Sequence, residues 1–176
     1  MKIILLTHQR ERDRKTNTGQ LVLDVLGSAA NLVIWDRVNP DRALLSLIEQ
    51  TAVGLLFPHS ETNEMGEVSV PSRNVCIDEN NKAALAGYEY LIIIDATWQE
   101  ARKIYNRSAY LHSLAKVSLS DSMKSCFQLR RNQIEGGLCT AECVGLLLTY
   151  SGQARFAEQL RDKWESFNQI GGNITV

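Results

Sequence analysis

Where the apolar run YLIII ends, a carboxylate, a hydroxyl and an indole stand within four residues of one another: Asp95, Thr97 and Trp98. A carboxylate at the carboxyl end of a strand can take a proton from a substrate or hold a cation, and an indole beside it can wall a site or stack on a flat ligand. The same residues also have ordinary structural uses. Asp95 can cap a helix by accepting the backbone N–H of Thr97 or Trp98, and Trp98 can anchor that helix to the sheet. A second polar cluster opens where the first apolar run ends. His8 begins HQRERDRKTNTG, which sets Arg10, Arg12, Arg14 and Lys15 against Glu11 and Asp13 before a capped helix start. That arrangement suits an anion, or else is a solvated loop with a routine cap. Gly136 and Gly137 precede Leu138 and a third helix start, either as a plain turn or to let a ligand approach the backbone closely. HExxH, a Walker A lysine motif and GxGxxG are absent, which counts against zinc peptidases, P-loop NTPases and ordinary dinucleotide-binding proteins.

These residues need elements to hold them. Short, β-branched apolar runs at 2–6, 32–35, 53–57 and 90–94 have the character of strands buried on both faces. Helical patterns lie between them: GQLVLDVLG after possible caps at Thr16, Asn17 and Thr18, and a helix over residues 40–50 with Asn39 as its N-cap and Pro40 as its first residue. After a basic helix over 97–107, AKVSLS and CFQLR read as strands, followed by helices at about 140–150 and 154–167. The alternation predicts an α/β fold with a mostly parallel sheet. The polar stretch 58–81 is the longest connection, with room for a short strand at 68–70 or 75–77.

At 176 residues the chain fits a single domain, spanning 1–176. The four cysteines include no CxxC pair and read as reduced thiols. The opening MKIILLTHQRER is too short in apolar residues for a signal or membrane segment, which predicts a cytoplasmic protein. The net charge of −1 conceals an asymmetry: residues 101–134 hold seven basic side chains against one acidic, and residues 43–95 hold eight acidic against two basic. Such polarity suits a protein that meets a polyanion with one face, or else charges that cluster along the sequence and mix in space.

Taken in order, the motifs resemble the DTW-domain family, whose Asp-x-Thr-Trp signature stands here as Asp95-Ala96-Thr97-Trp98. Family-like segments also include His8, Glu11 and the Arg14-Lys15 segment before TNTG at 16–19, LLFP at 55–58, SCFQLR at 125–130 and LCTAEC at 138–143. Departures are Ala96 for the usual glycine, Phe127 for tyrosine, and Cys139 and Cys143 for serine and alanine. The resemblance implies a SPOUT-like, doubly wound sheet with helices on both faces and a C-terminal trefoil knot. It implies S-adenosylmethionine as the group donor and tRNA as the acceptor. The N-terminal cysteine cluster that suggests zinc in the family has no counterpart in this sequence, so no metal site is expected.

The reaction so implied moves a 3-amino-3-carboxypropyl group to N3 of a uridine and leaves 5'-methylthioadenosine. On the resemblance, Asp95 is the catalytic base or a partner of the cofactor ammonium. Leu56, Phe57, Pro58, Thr97, Trp98, Leu129, Arg130, Leu138, Thr140 and Glu142 are assigned to the cofactor. Arg12, Arg14, Lys15, Asn17, Arg102, Lys103 and Arg131 are assigned to RNA. Two rival readings use the same sheet: a SPOUT-type RNA methyltransferase, and a non-catalytic RNA-binding module.

Overall fold

The computed structural model describes residues 1–58, 74–120 and 137–172. Among the described residues, six strands, β1 (Lys2–Thr7), β2 (Ala30–Ile34), β3 (Val53–Leu56), β4 (Val75–Ile77), β5 (Tyr90–Asp95) and β6 (Ala115–Leu119), form one sheet in the order β2-β1-β5-β3-β6-β4. Every pairing is parallel. Parallel strands need crossovers over the faces of the sheet, and the helices supply them. They are α1 (Gln9–Arg12), α2 (Gly19–Leu26), α3 (Arg42–Gln50), α4 (Trp98–Asn106), α5 (Ala109–His112), α6 (Thr140–Tyr150) and α7 (Ala154–Gly172).

Strand alternation sorts the core into two layers, because successive side chains point to opposite faces. Ile3, Leu5, Leu91 and Ile93 pack with α2, α6 and α7 on one face. Ile4, Leu6, Ile92 and Ile94 pack with α3, α4 and α5 on the other. Helices thus cover both faces, as the apolar, β-branched runs require. The connection from β1 leads outward to β2, whereas that from β5 leads the other way, past β3 to β6. The chain reverses direction between β1 and β5, and a crevice opens outside their carboxyl ends at such a switch point.

Several local expectations are corrected. The helix expected over 40–50 runs from Arg42 to Gln50, and its N-cap is Asp41, whose side chain accepts the Leu44 N–H at 2.8 Å. Asn39 belongs instead to a turn in which Asp36 accepts the Val38 and Asn39 N–H groups. The last helix runs past 167 to Gly172. The short helices α1 and α5 and the 3-10 segment Lys82–Gly87 are not legible as periodic patterns, being too brief to show one. Within 58–81, the strand at 75–77 forms β4; the alternative at 68–70 and the expected strand CFQLR lie outside the described residues. So do residues 121–136 of the connection from β6 to α6, on which a knot would turn. No helix among the described residues is long and apolar enough to cross a membrane.

Candidate active site

Asp95 and Thr7 are register partners at the carboxyl ends of β5 and β1, and therefore stand at the switch point itself. Asp95 is 1% exposed. Its Oδ2 accepts the Thr7 hydroxyl at 3.3 Å and the Asn17 side-chain amide at 3.0 Å, and its Oδ1 accepts the Thr140 hydroxyl at 2.8 Å. Three segments remote in sequence meet on one carboxylate: the end of β1, the TNTG loop and the first turn of α6. Desolvating a carboxylate is costly unless hydrogen bonds replace water, and these three donors do so. A carboxylate offers about four lone-pair sites, so roughly one is left for a ligand.

Capping of the following helix falls to another residue. Thr97 is the N-cap of α4, its hydroxyl accepting the Glu100 N–H at 3.3 Å and donating to Glu100 Oε2 at 3.0 Å. Asp95 is thereby free of the structural duty that its position beside a helix start suggests. Trp98, the first residue of α4, is half-buried and belongs to neither apolar cluster among the described residues. An indole outside the core leaves its surface available to a ligand.

The TNTG loop is folded inward. Asn17, expected on the RNA face, is 5% exposed and bonds Asp95, the Glu11 carbonyl at 2.9 Å and the Gly19 N–H at 2.6 Å. With every polar atom of its amide engaged inside the protein, it is a scaffold of the site rather than an RNA contact. Thr18 ties the same loop to α6 by accepting the Ala141 N–H at 3.3 Å. Gly19 lets the loop close on Asp95, since a Cβ there would lie 2.6 Å from Oδ2 and 2.8 Å from Cγ.

The HxxExxR segment builds a second, adjacent network. His8 caps α1 through Nδ1, and its ring lies 5.7 Å from that of Trp35. Glu11 is buried at 1% exposure and pairs with Arg14 at 2.7 Å. Arg14 therefore neutralises a buried acid, and its guanidinium is only partly available to RNA. Burial raises the Glu100 carboxyl, but the Thr97 hydroxyl, the nearby His8 and a bond with Glu11 outweigh it and hold the group below its ordinary range. Glu100, Thr7, Thr18 and Gly19 are site residues that sequence reasoning did not single out. Thr18 and Gly19 lie within the TNTG segment, and Thr7 carries a signal of its own: like Asp95, it is a polar residue ending an apolar run.

The residues assigned to the cofactor divide. Thr97, Trp98 and Thr140 converge near Asp95. Glu142, two positions beyond Thr140 and so about 200° around the helix, accepts the Cys139 N–H at 2.8 Å as half of a capping box. With Leu138 it lines a cavity of about 390 Å³ between α6 and α7, on the other side of the first turn of α6. Along LLFP, the Phe57 N–H is taken by the Val117 carbonyl at 2.9 Å and Pro58 has none, so this segment offers carbonyl oxygens and apolar surface. Arg12, Lys15, Arg102 and Lys103 are exposed. Leu129, Arg130 and Arg131 lie outside the described residues. No group of three or more His, Cys, Asp or Glu able to hold a metal occurs among the described residues.

The cysteines at α6 differ sharply from the one on β4. Burial, then the Glu142 charge, pushes the Cys139 thiol up to about 12, and burial pushes Cys143 up as well, whereas Cys76 is exposed. Alkylation requires thiolate, and a thiol near 12 is ionised to only about one part in ten thousand at pH 8. In a Cys126→Ser background, iodoacetamide at pH 8 should modify Cys76 first and Cys139 only on unfolding; peptide mass spectrometry reads the order.

Comparison with known proteins places the chain in a family. The DTW-domain model matches residues 1–170. A curated relative, tRNA-uridine aminocarboxypropyltransferase 2 of Drosophila melanogaster, is 28% identical over 154 residues, covering 83% of this chain and 56% of that protein. The chain thus spans little more than half the length of that relative. No solved structure matches it significantly. The motifs that gather around Asp95 and the match across nearly the whole length make this chain a member of the DTW-domain family.

Proposed function

We propose that the protein transfers the 3-amino-3-carboxypropyl group of S-adenosylmethionine to N3 of a uridine in tRNA. The observation that carries this reading is the junction at Asp95, where the family's Asp-x-Thr-Trp, TNTG and LCTAEC-like segments converge on one buried carboxylate at the switch point. A relative bearing the name of this activity supports it.

The donor set fits an amino acid carrying a sulfonium. The remaining lone pair of Asp95 can accept an ammonium or an N3–H, and the Trp98 π-face can lie against a positive sulfur. When bound, S-adenosylmethionine supplies a γ-carbon made electrophilic by the adjacent sulfonium. The protein must then expose that carbon, rather than the methyl, to the nucleophile. Its means are positional, because a near-attack geometry requires reacting atoms about 3–3.5 Å apart and in line. Uracil N3 is a poor nucleophile until it loses its proton, so a carboxylate fixed by three neutral donors serves as an acceptor whose direction is set beforehand. In this reading a C-terminal knot around the cofactor completes the SPOUT-like fold. RNA lies over exposed cations that include Arg12, Lys15, Arg102 and Lys103.

Nucleoside mass spectrometry on unmodified tRNA transcripts, incubated with the protein and S-adenosylmethionine, tests the proposal. The expected product is 3-(3-amino-3-carboxypropyl)uridine with equimolar 5'-methylthioadenosine. Methylated nucleoside with S-adenosylhomocysteine instead would identify a methyltransferase, and cofactor binding with neither product on a full tRNA set would remove tRNA as the acceptor.

A further inference from the structure

We infer that one flank of α4, carrying Trp98, Arg102 and Tyr105, is the track on which single-stranded RNA beside the target uridine lies. The inference rests on the tRNA reading above and adds to it a direction and a mode of grip. Positions 98, 102 and 105 are spaced i, i+4 and i+7 and form one stripe along the helix. The stripe starts three residues beyond Asp95 and leads away from the switch point.

At its far end the stripe joins a set of stacked rings. The Tyr105 ring lies 4.5 Å from that of Phe57, with 22° between the planes, and 4.7 Å from that of His112. Lys116 Nζ sits 4.9 Å from the Tyr105 centroid and 6.0 Å from that of Phe57. The His112 ring is exposed, yet it is fixed: Nε2 lies 2.9 Å from the Tyr105 carbonyl, which can only accept, so this nitrogen carries the proton. An aromatic ring that faces solvent and is already ordered costs little further entropy when a base stacks on it. Arg102 is exposed and has no acidic partner among the described residues. Aromatic surface interleaved with available cations is the combination that grips single strands, the rings taking bases and the cations phosphates. The opposite flank of α4 carries Glu100 and Lys103, spaced i and i+3, with no aromatic ring between them.

Fluorescence anisotropy with an unmodified tRNA transcript and a uridine-containing single-stranded oligonucleotide tests the track. Arg102→Ala and Lys116→Ala should each weaken binding about tenfold, and each should reduce the slope of log affinity against log salt by about 0.7. His112→Ala should weaken binding about tenfold with the salt slope unchanged, as loss of stacking requires. Arg155→Ala, on α7 in the opposite layer, serves as the control and should bind as wild type. Calorimetric S-adenosylmethionine affinity should be the same in all four variants, which shows that the fold is intact. If wild type binds tRNA with a steep salt slope but the three track variants stay within twofold of it, the track is overturned and the tRNA reading stands. If His112→Ala alone is unchanged, the stacking grip is overturned. If wild type binds neither RNA at low salt, the tRNA reading fails and the track with it.

Discussion

Asp95→Asn should lower the rate of 3-(3-amino-3-carboxypropyl)uridine formation by about 10²–10⁴-fold, the range for loss of a positioned acid–base group, while leaving the protein folded. The neighbours of Asp95 explain why both outcomes are expected together. Asn17 cannot reverse its amide, because its Oδ1 already holds the Gly19 N–H at 2.6 Å. The carbonyl of the substituted amide must therefore stay on the side that serves Asn17 and Thr7. Its NH₂ group then faces Thr140, whose hydroxyl can rotate from donor to acceptor. The network survives with one bond reversed, so the stability change should stay near about 1 kcal/mol. What is lost is the charge and the free acceptor site. Denaturant titration reads the stability and nucleoside mass spectrometry the rate. Calorimetry with S-adenosylmethionine then separates two roles: unchanged cofactor affinity assigns Asp95 to the N3 proton, and weakened affinity assigns it to the ammonium. Product formation within a few-fold of wild type would remove the charge of Asp95 from the mechanism altogether.

Gly19→Ala should be damaging at a position where the same change is usually helpful. In a helix, alanine is favoured over glycine by roughly 0.5–1 kcal/mol. At Gly145, in the interior of α6, a Cβ would meet nothing within 4 Å, and Gly145→Ala should raise stability by about that amount. At Gly19 the Cβ would come within 2.6 Å of Asp95 Oδ2 and 3.0 Å of Asn17 Oδ1. Both neighbours are buried and bonded on other sides, so neither can yield cheaply. The overlap should cost about 1–3 kcal/mol. It should also displace the carboxylate, and a shift of about 1 Å at a reacting group lowers rates by about 10²-fold. Paired thermal melts and rate measurements on the two glycine variants test this. Equal stabilisation by both would show that the loop does not close on Asp95 as described.

Much of the architecture was legible along the chain because it rests on local periodicity. The apolar runs at 2–6, 53–57 and 90–94 became β1, β3 and β5, and the helices from 98 and 140 start within a residue or so of where the pattern placed them. Burial on both faces of a parallel sheet demands continuous apolar runs, so strands of this kind announce themselves. The position of Asp95 at a strand end was equally visible, and with it the motif by which the family is recognised. Its hydrogen-bond partners were not. Thr7 lies 88 residues away, Asn17 78 and Thr140 45, and each is reached only because the sheet order sets β1 beside β5 and packs α6 against the TNTG loop. A buried carboxylate and an exposed helix cap are written with the same letter. Only the tertiary structure, by giving the cap to Thr97 and turning Asn17 inward, decided which one Asp95 is, because a hydrogen bond between distant segments leaves no periodic trace in the residues that make it.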